Sequence, residues 1–265
     1  MTTAIATDEK ILLRNESNGI ATLTLNRPKQ YNALSEELLT ELQTALAAIE
    51  KDESVRVVVI AGNGPAFCAG HDLKQMRATP RKAYYDQLFA QCSDVMRSIT
   101  RIPQPVIARV HGIATAAGCQ LVAQCDLAVA SHNAKFAVSG INVGLFCSTP
   151  SVPLARNVLR KQAMEMLLTG DFIDADAAVE RGLINRAVAA EQLDAAVGEL
   201  AAKIISKSSV AVATGKKMFY KQIEMGLEGA YQYAAEVMAC NMMAEDVGEG
   251  IDAFAQKRPP VWKGK

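Results

Sequence analysis

The sequence predicts an α/β protein whose C-terminal part is helical. Up to about residue 145, short runs typical of β-strands alternate with longer runs that have helical periodicity. Beyond about residue 150 the β-type runs nearly vanish and helical runs follow one another. The 265 residues, half of them hydrophobic, suffice for one sizeable domain or for one domain with a smaller appendage. We therefore expect an α/β core over residues 1–190 and a helical region over residues 191–265.

The first half of the chain opens with a predicted hairpin. Asn18-Gly19 joins the runs ILLR and ATLTL, and Asn-Gly between two β-type runs is a strong hairpin signal. An amphipathic helix, SEELLTELQTALAAIE, follows it. The continuous apolar run from Val55 to Ala61 predicts a buried strand. The next predicted elements are a helix starting near Asp72, the helix KAYYDQLFAQCSDVMRSI, the strand VIARV, the helix GCQLVAQC and the strand DLAVAS.

The C-terminal region consists of helices that are apolar on more than one face. Its predicted helices are EQLDAAVGELAAKIIS, VAVATGKKMFYKQIEMG and EGAYQYAAEVMACNMMA, and RPPVW predicts an extended tail. Their methionines are Met218, Met225, Met238, Met242 and Met243. This is more apolar cover than one buried helical face requires, so we expect the chain to associate with itself here.

Composition excludes several classes of function. Lys and Arg together number 28, as do Asp and Glu, so no charge excess points to nucleic acid or to an anionic membrane. No apolar run is long enough to span a bilayer, and MTTAIATDEK has the pattern of neither a secretory signal nor a transit peptide. The six cysteines are scattered without metal-ligand spacing, which is typical of free thiols in a reducing compartment. We expect a cytoplasmic protein without a metal.

Two loops of small residues each follow a predicted strand and lead into a predicted helix. The first contains Ala69-Gly70 before His71, and the second is ATAAG, residues 114–118. Small residues let a backbone approach a ligand closely, and the first N–H groups of a helix have no partner inside it. Either loop alone also fits an ordinary strand-to-helix connection. Together they favour a paired site, because two amides aimed at one oxygen are the usual device for holding a developing oxyanion.

The residues around both loops resemble a known family. FCAGHDLKQM, PVIARVHGIATAAGCQLVAQCDLAVAS and AMEMLLTGDFIDADAAVERGLIN are similar to the enoyl-CoA hydratase/isomerase (crotonase) superfamily, above all to its branch of enoyl-CoA hydratase domain-containing proteins. The similarity extends from TLNRPKQYNAL to KRPPVW. It implies a crotonase-like spiral of ββα units, a helical C-terminal trimerisation region, and homotrimers that can pair into hexamers.

The resemblance also implies a ligand and a mode of binding it. The ligand is an acyl-CoA thioester, with coenzyme A as part of the substrate and no tightly bound cofactor, in lipid metabolism. The thioester oxygen accepts hydrogen bonds from the backbone N–H groups of His71 and Ala117. The other residues expected at the substrate are Arg27, Lys29, Ala33, Ala69, Gly70, Asp72, Leu73 and Cys147.

The sequence departs from the family at two positions that matter for chemistry. Where hydratases of this family carry glutamates, this chain has Gln120 and Gly140. Neither can exchange a proton near neutral pH, and a positioned acid–base group typically contributes about 10²–10⁴-fold to the rate. Efficient hydration is therefore not expected. Two functions stay open, namely a hydratase-like lyase with altered chemistry and a non-catalytic protein that binds or modulates acyl-CoA.

Several side chains have both a functional and a structural interpretation. Arg27 and Lys29 are candidates for the CoA phosphates, although a charged loop after a strand is usually just solvated. Lys257-Arg258 are candidates for the same role in a neighbouring subunit. The imidazole of His71 either points into the site or folds toward Asp72.

The segment CSTPS, residues 147–151, has two interpretations as well. Cys147, Ser148 and Thr149 lie where they can touch the acyl group. We favour the structural interpretation, which is a buried thiol at Cys147 or a helix cap at Ser148 or Thr149. No visible base activates Cys147 as a nucleophile.

Overall fold

A computed structural model describes residues 10–265 of the chain. The strands are β1 Leu12–Ser17, β2 Ile20–Leu25, β3 Val57–Gly62, β4 Ala66–Cys68, β5 Val106–Val110, β6 Ile113–Thr115, β7 Leu127–Ser131, β8 Lys135–Ala137, β9 Ile173–Asp174 and β10 Arg186–Val188. The helices are α1 Glu36–Glu50, α2 Leu73–Ala78, α3 Lys82–Arg101, α4 Ala117–Gln124, α5 Ser148–Asn157, α6 Arg160–Thr169, α7 Ala175–Glu180, α8 Leu193–Ile205, α9 Ser209–Gln222, α10 Leu227–Asn241 and α11 Glu245–Ala255. Short 3₁₀ helices span Pro28–Gln30, Ser139–Val143 and Ala190–Gln192.

The larger sheet has six strands in the order β1-β2-β3-β5-β7-β10. Only its first pair is antiparallel, and this pair is the predicted hairpin. Asn18 and Gly19 both adopt positive φ, at 52° and 76°, as a type I′ turn requires. All six residues of β3 are buried, which confirms the strand predicted from its apolar run. The remaining neighbours pair in parallel.

A second sheet, in the order β4-β6-β8-β9, is built from very short strands. Strands β4, β6 and β8 each come a few residues after a strand of the larger sheet, and a helical segment follows each of them. These are the repeated ββα units of the predicted spiral, so the expected fold class is confirmed. Because β4 pairs in parallel with β6, the loops that follow these two strands lie side by side.

The larger sheet is covered on both faces. Val58 and Ile60 of β3 point into the main core, which helix α1 also enters with five buried residues. Val57 and Val59 point to the opposite face, where they pack with helix α8. The first helix of the predicted C-terminal region therefore rests on the sheet itself.

Helix α9 is attached to the core by a buried ion pair. Nζ of Lys216 donates to the carboxylate of Asp126 at 2.7 Å and to the carbonyls of Ile99 and Gln104 at 2.7 and 2.8 Å. The hydroxyl of Tyr220 donates to the other oxygen of Asp126 at 2.8 Å. Asp126 thus has the structural role that an acid at the start of a strand usually has.

The chain ends in an extended tail, as RPPVW predicts, and the indole N–H of Trp262 donates to the carbonyl of Ser206 at 2.8 Å. Within residues 10–265, no helix combines the length and the apolar character needed to cross a membrane.

Candidate functional site

The first loop runs from the end of β4 to the start of α2. Gly70 occupies the left-handed region at φ 93°. The N–H of Leu34 donates to the carbonyl of Gly70 at 2.7 Å, and the N–H of Asp72 donates to the carbonyl of Leu34 at 3.2 Å. This parallel bridge uses the groups on either side of His71. The N–H of His71 consequently has no backbone acceptor among the described residues.

The side chains of Arg27 and Asp72 stabilise the first loop. Nη2 of Arg27 pairs with Oδ2 of Asp72 at 2.9 Å, and Nη1 donates to the carbonyl of Ala33. Asp72 also caps α2, where its carboxylate accepts the N–H groups of Lys74 and Gln75 at 3.2 and 3.3 Å. Partial burial opposes ionisation of Asp72, but the hydrogen bond from Arg27 and those from the helix amides outweigh it and lower the pKa.

The second loop runs from the end of β6 to the start of α4. Ala116 adopts φ 50° and ψ −120°, a conformation normally reserved for glycine. Its N–H donates to the carbonyl of Ala137 at 3.0 Å. The next residue, Ala117, begins the helix, so its N–H cannot have a partner within the helix.

Close contact between the two loops depends on missing side chains. A Cβ atom on Gly118 would lie 2.0 Å from the carbonyl oxygen of Cys68. A Cβ atom on Gly70 would lie 2.9 Å from Cβ of Ala116 and 3.1 Å from the nitrogen of Ala117. The small residues seen in the sequence are therefore required for packing. They bring together the segments that carry the N–H groups of His71 and Ala117.

A cavity of about 190 Å³ lies against the two loops. Of the residues that the sequence suggests for the site, those that line it are Ala69, His71, Leu73, Ala117, Gly140, Cys147, Ser148 and Thr149. Most of the other lining side chains are apolar, and none of the described residues that line the cavity is charged. No cluster of three or more His, Cys, Asp or Glu residues that would suit a metal ion occurs within the part of the chain that the structure describes.

The remaining predicted residues lie behind the cavity or away from it. Arg27, Ala33, Gly70 and Asp72 shape the first loop through the contacts given above, and Lys29 is exposed in the 3₁₀ helix Pro28–Gln30. Gln120 is 4% exposed in the first turn of α4, and its Oε1 has no hydrogen-bond partner among the described residues.

Sequence reasoning missed the far wall of the cavity. This wall is formed by Met76, Phe89 and the segment 143–146. Phe89 stacks on Tyr85 one helical turn earlier, with ring centroids 6.4 Å apart. That i, i+4 aromatic spacing was the available signal, but it equally fits a pair in the core. In segment 143–146, Val143 ends a short 3₁₀ helix and Leu145 and Phe146 lie in the loop after it, where no periodicity marks them.

The ring of His71 packs edge-on against Phe89, with centroids 5.5 Å apart and planes at 71°. Both ring nitrogens are buried and form no hydrogen bond with any described residue. Because the oxygens of Asp72 bind Arg27 and the α2 amides, the alternative of a ring held by that acid finds no support. Burial lowers the pKa of the imidazole to about 4, and the nearby carbonyl of Leu34 only partly opposes this shift.

The segment from Cys147 onward corrects one structural expectation. The predicted cap at Ser148 or Thr149 is wrong, because α5 begins at Ser148 with Cys147 at the capping position and no side-chain cap bond. Cys147 is a buried thiol, as the structural interpretation predicts, and its Sγ accepts the N–H of Gly140 at 3.3 Å. Burial raises the pKa of this thiol.

The two basic residues of the tail, Lys257 and Arg258, have different surroundings. Arg258 forms a two-pronged ion pair with Glu249, with N–O distances of 2.6 and 2.8 Å. Lys257 lies beside it at φ 55°. A role for either residue at a neighbouring subunit stays a prediction.

Comparisons with known proteins agree with this architecture. The sequence model of the family described as Enoyl-CoA hydratase/isomerase matches residues 15–265. The enoyl-CoA hydratase domain-containing protein 3 of Homo sapiens is 46% identical over 245 residues, which covers 92% of this chain and 81% of that protein. A crystal structure of an enoyl-CoA hydratase from Mycobacterium smegmatis has a TM-score of 0.95 and 59% identity, with 96% and 99% of the two chains covered. The crystal structure of the human domain-containing protein 3 has a TM-score of 0.93 and 44% identity, with 96% and 100% covered.

The names of the relatives correct the predicted location. The domain-containing protein 3 of rat, mouse, Xenopus laevis and human is named mitochondrial in each case. These names contradict the cytoplasmic expectation and point to mitochondria instead. The expectation was wrong because scattered free cysteines indicate a reducing compartment without distinguishing one such compartment from another.

Proposed function

This chain belongs to the enoyl-CoA hydratase/isomerase family, and from that premise we propose that it binds an acyl-CoA thioester. The thioester oxygen lies between the backbone N–H groups of His71 and Ala117. The observation that supports this most is that both N–H groups lack a backbone acceptor while their loops are in van der Waals contact at one end of the cavity. Such paired donors polarise a carbonyl and stabilise an enolate.

The same cavity argues against efficient hydration. Its titratable side chains are His71, whose pKa is lowered to about 4, and Cys147, whose pKa is raised. At neutral pH the first is a weak neutral base and the second a protonated thiol, so neither suits proton transfer. We therefore favour a protein that binds acyl-CoA with a polarised carbonyl. A hydratase-like enzyme with altered enolate chemistry is the second candidate, and the intact pair of N–H donors favours it.

The phosphates of CoA need cationic side chains that are not already bound to a carboxylate of the protein. The guanidinium of Arg27 already binds the carboxylate of Asp72 and the carbonyl of Ala33, so we assign Arg27 to stabilising the first loop. Lys29 is exposed near that loop and is the better candidate for a CoA phosphate. Lys257 is a candidate from a neighbouring subunit.

Binding of the thioester carbonyl is tested with a matched set of ligands. We expect butyryl-CoA to bind more tightly than free CoA or butyrate, measured by titration calorimetry. Ala117→Pro removes one N–H donor at the first position of a helix. Because proline also restricts the backbone of the preceding residue, Ala116, folding of the variant is checked by circular dichroism. The substitution should weaken butyryl-CoA binding about 3- to 10-fold, the range for one hydrogen bond, and leave free CoA unaffected. Equal binding of butyryl-CoA and CoA to the unmodified protein would contradict the proposal.

The C-terminal helices also support a proposal about assembly. Apart from the side chain of Lys216, helices α9 and α10 bury little in the single chain, and none of their residues is buried as a whole. Their large exposed apolar side chains, with those of the following turn and of α11, are Phe219, Leu227, Tyr231, Met238, Met242, Met243, Ile251 and Phe254. An exposed apolar surface of this extent marks an interaction site. We propose a homotrimer, alone or paired into a hexamer, formed through these helices.

Light scattering at micromolar concentration measures this assembly directly. We expect a mass of three or six chains for the unmodified protein. Met238→Glu with Met243→Glu places charges on the exposed apolar surface and should shift the mass toward one chain. Ala48→Glu, on an exposed position of α1, is the control and should leave the mass unchanged. A monomeric unmodified protein would exclude this assembly.

A further inference from the structure

Four exposed apolar side chains form a rim around the cavity. Leu73, Val143, Leu145 and Phe146 line the cavity, and between 39% and 65% of each residue is exposed to solvent. Single exposed apolar side chains are normal, but apolar side chains gathered around one opening mark an interaction site. The rim lies on α2 and on residues 143–146, apart from the helices α9, α10 and α11 through which we propose that the chain assembles. That assembly therefore does not account for the rim.

A cluster of cations lies beside this rim. It consists of Lys74, Arg77, Arg81 and Lys82. All four are exposed, and no acidic residue occurs over residues 73–85. Lys82 pairs with Asp86 at 2.8 Å and is the only member of the cluster with an acidic partner among residues 10–265. The chain as a whole carries no net charge, so the excess of positive charge is confined to this stretch.

Helical spacing places the unpaired cations next to the rim. Leu73 and Arg77 are four residues apart in α2, and side chains at this spacing lie on one face of a helix. Arg81 immediately precedes α3, one turn before Tyr85. The ring of Tyr85 in turn stacks on Phe89, which lines the cavity. Arg77 and Arg81 therefore lie on the same side of α2 and α3 as the rim.

The apolar rim and the cations together fit one kind of partner. Apolar side chains that project from a surface next to Lys and Arg are typical of proteins that bind the interface of an anionic bilayer, where apolar burial and charge attraction add. A nucleic acid would satisfy the cations through its phosphates, but it offers no apolar layer for the aliphatic side chains of the rim. A small free anion would also leave the rim exposed.

We propose that the rim and the cationic cluster dock this protein on a membrane surface with anionic headgroups. The rim enters the boundary between headgroups and lipid acyl chains, and Arg77 and Arg81 contact lipid phosphates. Docking in this orientation places the opening of the cavity at the bilayer, so that an apolar ligand enters it without crossing water. The proposal goes beyond the binding of a thioester and does not depend on which ligand the cavity takes.

Sedimentation with vesicles tests this surface. We expect the full chain to sediment with vesicles of equal parts phosphatidylcholine and phosphatidylserine, and to stay in solution with phosphatidylcholine alone. Arg77→Gln with Arg81→Gln should weaken binding about 25-fold, because one cation near an anionic surface contributes about 5-fold. The matched control is Arg160→Gln with Lys161→Gln, which removes two exposed cations beside the exposed Leu159 and should bind like the unmodified protein.

A fluorophore identifies the side chains that enter the bilayer. Of the six cysteines, all in the described part of the chain, only Cys240 is exposed, so Cys240→Ser provides a background for labelling one introduced cysteine. A polarity-sensitive dye on Val143→Cys should shift its emission to the blue with the phosphatidylserine vesicles. The same dye on Leu159→Cys, at another exposed apolar position, should not shift.

Four results would overturn the proposal. They are no sedimentation with the anionic vesicles, an equal loss of binding in the control variant, vesicle binding without a blue shift at Val143, and binding of single-stranded RNA in place of vesicles. The last result would assign the cationic cluster to nucleic acid. Butyryl-CoA binding is measured without vesicles, so each of these results leaves the proposed function unaffected.

Discussion

Hydration of crotonyl-CoA by the unmodified protein is expected to be slower than hydration by a family member with glutamates at the positions that we match to Gln120 and Gly140, by about 10²–10⁴-fold for each position. Water must lose a proton and the α-carbon must gain one, and neither Gln120 nor Gly140 can mediate these steps. The rate is measured from the loss of enoyl absorbance, with product identified by mass spectrometry. Gln120→Leu is the control, and it should leave the rate where it is.

Adding the carboxylates back is limited by the loop that contains Gly140. Gln120→Glu preserves the shape of the side chain and should produce a small gain in hydration. At the second position, a Cβ atom would lie 2.6 Å from the carbonyl oxygen of Leu145 and 2.7 Å from Sγ of Cys147. Gly140→Glu therefore requires the loop to move, and the double variant should gain less than two independent groups would give. Rapid hydration by the unmodified protein would contradict this account and assign proton transfer to another residue.

Lys216→Met is expected to destabilise the fold by about 3–5 kcal/mol, because it leaves the buried carboxylate of Asp126 without its cation. The side chain of Lys216 is 6% exposed and that of Asp126 is 14% exposed. The loss should appear as a lower urea midpoint with an unchanged slope. Lys217→Met removes a neighbouring exposed charge and should change the stability by less than about 0.5 kcal/mol.

The double variant Lys216→Met with Asp126→Asn distinguishes the destabilisation caused by an unpaired buried charge from that caused by lost packing. Removing both charges leaves no uncompensated ion, so the two losses should not add, and part of the stability should return. Strictly additive losses would mean that the pair is not coupled and that the hydrogen bonds to Ile99 and Gln104 carry the whole effect.

The larger sheet could be predicted from sequence because its strands are long or have a distinct turn. Asn18-Gly19 fixes the hairpin, and the apolar run of β3 reads directly as a buried strand. The second sheet could not be predicted, since β4, β6 and β8 have three residues each and three residues show no alternation. Their existence depends on parallel pairing with segments that are remote along the chain.

For the site as well, features set by neighbouring residues could be predicted from sequence, and features set by residues remote along the chain could not. Both loops were predictable because small residues at the start of a helix are a local pattern. The partner of Arg27 was not, because Asp72 lies 45 residues away and a guanidinium after a strand looks the same whether it meets a phosphate or a carboxylate. The orientation of the His71 ring depends on Phe89 in helix α3, which no local pattern specifies.

The contact between Gly118 and Cys68 has a mechanical consequence. Only a hydrogen atom fits between Gly118 and the carbonyl of Cys68, so the end of β4 packs directly against the first turn of α4. Because the two loops are packed this closely, we expect a displacement of one loop to move the other and to preserve the spacing between the N–H groups of His71 and Ala117. The proposed pair of carbonyl donors therefore rests on one packed unit, and the close contact that forms it involves neither position 120 nor position 140.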